Sequence, residues 1–267
     1  MKKLLAIDVD GTLLNSKGIV TDSTRQALTD FCHNDGEIMI CSARPLLSLQ
    51  KLIVTQKLDF VRYASALNSA QIFDLNKKEL FIESFFLKNE LRDINERVNL
   101  ESIEHHFFNR ENIVQNANRT ISPFTQYESQ VFDIPVVTAS IATIFNSTEI
   151  FKITIVTDVS NRSTMSLRLK LILGDDYECV ETGANYIDIQ PKGVNKGRAV
   201  AVIANQLSVN RNDIISIGDH ENDAFMFQRS GISIAMGNGT KNIKEIATFV
   251  TKSHDEDGVA YALKTLI

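Results

Sequence analysis

The run Asp8-Val9-Asp10-Gly11-Thr12 sets two carboxylates two residues apart, at the end of a short apolar stretch that extends from Leu4 to Asp8. Such a stretch, closed by turn chemistry at Gly11, reads as a buried parallel strand feeding a loop. Open α/β sheets bind ligands outside the carboxyl ends of their strands, so the position suits chemistry. An alternating strand end sends Asp8 and Asp10 to one side. Carboxylates so placed repel each other unless a cation or proton lies between them, and hard oxygen ligands of this kind suit Mg²⁺. With residue types used at roughly 5 to 7% each, this register of Asp, Asp, Gly and Thr arises by chance about once in 10⁵ windows. The plainer alternative is a turn shaped by Asp ahead of glycine.

A second acidic cluster, Gly218-Asp219-His220-Glu221-Asn222-Asp223, follows another apolar run, Ile214 to Ile217. Alone it would serve as a helix N-terminus with Asp219 as cap. If the two strands are neighbours, Asp8, Asp10 and Asp219 converge on one cation. A phosphate anion in such a place also needs donors. Ser42-Ala43-Arg44, after a strand at Ile38 to Cys41, and Lys196, after Gly193, supply a hydroxyl and an ammonium. In isolation Ser42 would cap the helix containing Pro45, and Lys196 would be a solvated lysine. Together they make a site in which Mg²⁺ and Lys196 offset the repulsion between an attacking carboxylate and a phosphate dianion. Asp8 then displaces the alcohol in line, while Asp10 protonates the leaving oxygen and later takes a proton from water. His220 reads as a loop group, and His105 and His106, beside Phe107 and Phe108, fit a sheet face better than a substrate pocket.

The elements that must position these residues follow an α/β rhythm at both ends of the chain. A helix capped by Thr21 carries Ala27, Leu28 and Phe31, a second begins near Pro45, and Phe60 to Ala64 predicts a third strand. Later, Val194 to Gln206 predicts a helix, Asn222 to Gln228 another, Ile232 to Ala235 a strand, and Val259 to Leu266 the last helix. Between them, β-prone runs at Val136 to Ile144 and Phe151 to Thr157 alternate with helices at Lys88 to Val98 and Ser163 to Leu173. The expected architecture is therefore a Rossmann-like parallel-sheet α/β core made of 1–82 and 186–267, with a large α/β cap domain inserted at 83–185. Being tethered at both ends beside the strand termini, that insertion is expected to cover the site and to read the substrate.

Composition narrows the partners. The 267 residues carry a net charge of -5 and no long basic run, which argues against nucleic acid. The apolar stretch behind Met1-Lys2-Lys3 ends at Asp8, too soon for an export signal or a membrane span. Three widely spaced cysteines, Cys32, Cys41 and Cys179, fit buried thiols in a reducing cytoplasm.

In order and spacing, Asp8-Val9-Asp10-Gly11-Thr12, Ser42, Lys196 within Gly193-Val194-Asn195-Lys196-Gly197, and Gly218-Asp219 with Asn222-Asp223 resemble the four motifs of the haloacid dehalogenase superfamily. The long insertion, Asn68, the Ala235-Met236-Gly237-Asn238 turn and Asp257-Gly258-Val259-Ala260 resemble its Cof-type sugar-phosphatase branch. The resemblance implies a Mg²⁺-dependent phosphatase acting on a small phosphorylated metabolite, sugar phosphates first. It makes Asp8 the nucleophile and Asp10 the general acid and base. Gly11, Ser42, Ala43, Lys196 and Asn222 become substrate-binding residues. Mg²⁺ would sit on the Asp8 and Asp219 carboxylates and the Asp10 carbonyl, with Asp223 supporting Lys196. A phosphomutase using the same aspartyl phosphate and a catalytically retired phosphometabolite-binding protein share these motifs. The chain departs from the family in two places: Ala43 follows Ser42 where glycine is usual, and Ser69 follows Asn68 where glycine is usual. Both add a small side chain at a tight turn.

Overall fold

The computed structural model describes residues 2–146 and 149–267. Strand β1 (Lys3–Ile7) leads to α1 (Asp22–His33), whose N-terminus is capped by Thr21 accepting from the Thr24 amide. Then come β2 (Gly36–Cys41), α2 (Leu46–Thr55), β3 (Tyr63–Ala66), β4 (Gln71–Asp74) and β5 (Glu79–Glu83). The middle of the chain forms α3 (Lys88–Val98), β6 (His105–Phe108), β7 (Ile113–Asn116), α4 (Pro123–Phe132), β8 (Val136–Ala139), α5 (Ile141–Asn146), β9 (Lys152–Val156), α6 (Arg162–Leu173), β10 (Tyr177–Thr182) and β11 (Tyr186–Pro191). It ends with α7 (Lys196–Leu207), β12 (Ile214–Gly218), α8 (Ala224–Phe227), β13 (Ile232–Ala235), α9 (Lys241–Ile246), β14 (Phe249–Val250) and α10 (Gly258–Thr265). No helix among the described residues is long and apolar enough to cross a membrane.

The chain divides into two compact units. The first comprises Met1–Ala43, Leu49–Ile82 and Asn195–Ile267. Its sheet runs β14-β13-β12-β1-β2-β3-β4-β5, parallel from β14 to β3, with β4 antiparallel to β3. Because β12, β1, β2 and β3 are parallel neighbours, their carboxyl ends share one edge. In the register, Ile7 lies beside both Ile217 and Ile40, and Cys41 beside Ser65. The residues that follow each strand, Asp8, Asp219, Ser42 and Leu67, are thereby brought to that edge. The strands are mostly apolar: Leu4, Leu5, Ala6, Ile7, Met39, Ile40 and Ile217 are all fully buried. A sheet covered on both faces needs such runs, each buried Leu or Ile contributing roughly 1.5–3 kcal/mol.

The second unit comprises Arg44–Ser48 and Glu83–Val194. Its sheet, β10-β11-β9-β6-β7-β8, buries Phe107, Ile153, Ile155, Ile187 and Ile189 on one face against α3 and α6. Strand alternation places His106, Phe108, Lys152, Thr154 and Asp188 on the opposite face. There Lys152 Nζ lies 3.1 Å from Asp188 Oδ2, and Thr154 donates to the same carboxylate at 2.8 Å.

Several expectations need correction. Residues 186–194 do not belong with the first sheet: β11 pairs antiparallel with β10 and β9, so the second unit runs to Val194 rather than to residue 185. The β-prone run at Val136 to Ile144 breaks at Ser140, whose hydroxyl accepts from the Thr143 amide and starts α5. The strand predicted at Phe60 to Ala64 begins three residues later, since a turn in which the Val61 amide bonds to the Leu58 carbonyl delays it. The helix predicted from Asn222 opens as a 3₁₀ turn at Glu221–Asp223 before α8. Cys41 and Cys179 are buried thiols as expected, whereas Cys32 is only half-buried.

Candidate active site

Four strand ends of the first unit build the site. Asp8 leaves β1 with its amide bonded to the Ile217 carbonyl of β12, which locks the two acidic loops together at 3.0 Å. Gly11 turns the chain with φ +81°, a left-handed value that glycine adopts without strain. A Cβ at Gly11 would stand 2.4 Å from Asp219 Oδ2, so the loop needs glycine for space as well as for conformation. Thr12 then donates to Asp219 Oδ1 at 2.8 Å. On the other side, Asn238 donates to the Gly11 carbonyl at 2.8 Å and accepts from the His254 amide at 2.9 Å.

Lys196 is the first residue of α7, whose N-cap Asn195 accepts from the Arg198 amide at 3.1 Å. That start turns the lysine inward, leaving it 1% exposed. Its Nζ donates to Asp8 Oδ1 and to Asp223 Oδ1, each at 2.5 Å. Asp223 Oδ2 accepts the amides of Asp219 and His220 at 2.8 and 3.0 Å, so both of its oxygens are engaged. Gly218 is required here too, because a Cβ would meet the Asp223 carboxylate at 2.4 Å.

The carboxylates of Asp8, Asp219 and Asp223 offer oxygens within 4.8 Å of one another. Burial, then Asp223 and Asp219, push the Asp8 carboxyl well above the usual range despite Lys196. Burial and the Asp223 charge push Asp219 up to about 7. Lys196 is held above its ordinary value: burial opposes its charge, but Asp223 and Asp8 outweigh it. Fully ionised, three carboxylates against one ammonium would leave two negative charges, which a divalent cation would balance. The oxygen-only donor set fits Mg²⁺. The structure brings Asp8, Asp219, Lys196 and Asp223 together as a contact network. The Asp10 side chain is exposed and stands outside the three-carboxylate group. Ser42 is buried at the same sheet edge, its amide bonded to the Ser65 carbonyl at 2.9 Å. Asn222 is buried and donates to Asn68 Oδ1 at 3.4 Å.

Two contributors had no role assigned from the sequence. Thr12 stands inside the first acidic motif, and only its hydrogen bond to Asp219 reveals its part. Asn238, in the glycine-flanked turn after β13, acts through a contact 227 residues away along the chain. The imidazoles of His105, His106 and His220 lie apart from these contacts: His220 Nδ1 pairs with Glu221 at 2.9 Å, and His105 and His106 lie buried in β6.

These features define a class, a parallel-sheet α/β core that carries a buried cluster of aspartates and one lysine at its strand ends. A family model described as haloacid dehalogenase-like hydrolase matches residues 5–263, and the chain belongs to that family. Over 271 residues it is 30% identical to YxeH of Bacillus subtilis (strain 168), a protein with a provisional phosphatase name, covering 100% of this chain and 99% of the relative. Among solved structures, a haloacid dehalogenase-like hydrolase from B. subtilis superposes with a TM-score of 0.85 at 23% identity, covering 99% of this chain and 100% of the other. The HAD subclass IIB sugar phosphatase BT4131 matches with a TM-score of 0.85 at 21% identity over 99% of both chains. At these identities the two structures establish the fold. The protein is a phosphatase of the haloacid dehalogenase type, within the Cof-type branch.

Proposed function

We propose that the protein hydrolyses small phosphate monoesters, sugar phosphates first, with Mg²⁺ bound and with a phosphoryl group carried transiently on Asp8. The observation that carries this reading is the contact of Lys196 Nζ with both Asp8 and Asp223 at 2.5 Å, beside Asp219. The Asp8 and Asp219 carboxylates and the Asp10 carbonyl would hold Mg²⁺, which supplies charge neutralisation at the phosphate when bound. Lys196 orients Asp8 and offers its ammonium to a phosphate oxygen, while Ser42 and Asn222 add neutral donors and Gly11 and Ala43 add backbone at the loop tips. An Asp8 oxygen forms a bond to phosphorus as the phosphorus–alcohol bond breaks, and protonated Asp10 gives its proton to the departing oxygen. In the second half, Asp10 takes a proton from water, whose oxygen attacks phosphorus and frees Asp8.

The second unit supplies none of these residues, so we read it as the cap that selects the substrate. The subclass IIB sugar phosphatase among the structural neighbours supports sugar phosphates as the first candidates. The test is phosphate release from a panel of sugar phosphates and an aryl phosphate, with Mg²⁺ or with EDTA. Turnover should require Mg²⁺, and Asp8→Asn should fold yet lose at least about a thousandfold in kcat, since an amide is a poor nucleophile. Comparable turnover by Asp8→Asn would overturn the assignment.

A further inference from the structure

The turn that follows β3 is built in a conformation its residues disfavour. Leu67, Asn68 and Ser69 have φ of 46°, 54° and 87°, three successive non-glycine residues in the left-handed region. L residues enter that region as single residues, glycine and asparagine most readily, and a run of three is held only where surrounding contacts over-determine it. The whole turn is buried, with Leu67 and Ser69 at 0% exposure. Ser69 also buries a hydroxyl that has no hydrogen-bond partner among the described residues. Neither property helps the fold, since a glycine at residue 69 would remove both.

Two contacts tie the turn to the residues read above as phosphate ligands. The Asn68 amide donates to the Ser42 carbonyl at 2.9 Å, while the Asn68 side-chain oxygen accepts from Asn222 Nδ2 at 3.4 Å. Ser42 stands at the end of β2 and Asn222 follows β12, two strands separated in the sheet by β1. The left-handed backbone at Asn68 lets one residue reach both. Strain concentrated at a buried point between two ligand-facing groups is the usual location of a pre-organising device.

We propose that Leu67–Ser69 is such a device, and that Asn68 is a positioning residue that fixes Asn222 and the Ser42 loop for phosphate. This inference rests on the phosphatase reading given above. Its effect runs through the binding of the phosphate oxygens rather than through Asp8, so it should appear in KM and in the inhibition constant of inorganic phosphate more than in kcat. Asn68→Gly is the informative variant: glycine keeps the left-handed backbone and the amide contact to Ser42 while removing the side-chain acceptor.

The experiment is a double-mutant cycle of Asn68→Gly and Asn222→Ala, assayed by hydrolysis of an aryl phosphate and by inhibition with inorganic phosphate, with circular dichroism for fold. We expect Asn68→Gly to raise KM and the inhibition constant about tenfold, with kcat changed less than about threefold. The double variant should be no worse than Asn222→Ala alone, because Asn68 acts through that residue. Ser69→Gly should gain stability, since it removes a left-handed side chain and a buried hydroxyl. Additive losses from the two asparagine changes, an unchanged KM in Asn68→Gly, or destabilisation by Ser69→Gly would each overturn the positioning role. If the unaltered protein hydrolyses nothing and is not inhibited by phosphate, the phosphatase reading itself falls, an outcome distinct from any pattern among the variants.

Discussion

Replacing Lys196 by methionine keeps most of the side chain's length and removes its charge from between two buried carboxylates. Lys196 is 1% exposed, Asp223 0% and Asp8 6%, so water cannot take over the solvation. Removing one partner of such a pair typically costs 3–5 kcal/mol, because what remains is an uncompensated buried charge. The cost must depend on pH. In the folded variant, Asp8, whose carboxyl burial already pushes up, loses the Lys196 charge that draws it down, so it holds its proton to still higher pH. A group whose folded pKa is raised contributes stability that is fully present below its unfolded value, near 4, and is lost as pH rises through the folded value. The deficit relative to the unaltered protein should therefore be smallest near pH 5 and grow toward pH 8, by up to ~1.4 kcal/mol per pH unit for each proton held. Urea unfolding followed by far-UV circular dichroism in EDTA, at half-unit steps between pH 5 and 8, measures it; the chain has no tryptophan for fluorescence. Saturating Mg²⁺ should narrow the gap by restoring a cation to the cluster. A variant as stable as the parent at pH 8, or one whose deficit is the same at every pH, would refute the charge-balancing role of Lys196.

Two further outcomes follow from the same geometry. With Asp219 pushed up to about 7 by burial and the Asp223 charge, Mg²⁺ has to displace a proton there, so its affinity should fall by up to about tenfold per pH unit below 7. Calorimetric titrations at pH 6, 7 and 8 read this directly, and a pH-independent affinity counts against Asp219 as a ligand. Gly11→Ala and Gly18→Ala both impose a left-handed conformation, φ +81° and +71°, but a Cβ meets Asp219 at 2.4 Å only at Gly11 and finds open space at Gly18. Gly18→Ala should lose only the backbone term, about 1–2 kcal/mol, while Gly11→Ala should lose more and weaken Mg²⁺ binding; equal effects in unfolding and titration would show that crowding at Asp219 is immaterial.

The acidic motifs were legible because their meaning is local. Asp8 and Asp219 each close a short apolar strand, and parallel pairing of two such strands brings their loops together whatever else the chain does. Lys196 was not legible in the same way, since a lysine at a helix start is ordinarily solvated. What buries it is the packing of α7 against α8 and the turn before it, where a Cβ on Gly197 would meet the Phe225 carbonyl at 2.4 Å. The boundary of the second unit failed for a related reason. Tyr186 to Pro191 has the pattern of a strand, but which sheet it joins is decided by partners at Lys152–Val156 and Tyr177–Thr182, and pairing partners leave no mark on the strand itself. The left-handed run at Leu67–Ser69 is the extreme case. Leu67 is among the residue types that least signal positive φ, and the contacts that hold it there come from elements distant in the chain.

A core this dry around three carboxylates is a poor way to make a stable protein, and that is what ties the cluster to function. A hydrophobic replacement of a buried ion pair is often neutral or stabilising, so retention of Asp8, Lys196, Asp219 and Asp223 in contact needs another cause. The charge count supplies it. Asp223 engages one oxygen with Lys196 and the other with two backbone amides, so the single ammonium, shared with Asp8, cannot also match the charges of Asp8 and Asp219. Those two are the carboxyls that burial and their acidic neighbours push upward, toward holding protons in the absence of a cation. On the proposed reading, a divalent ion that displaced those protons would leave Asp8 deprotonated, held in place by Lys196, and able to act as the nucleophile toward a phosphate drawn to the same positive charges. The instability of the empty cluster and the reactivity of the filled one thus have a single origin, the burial of more negative charge than the chain's own lysine can match.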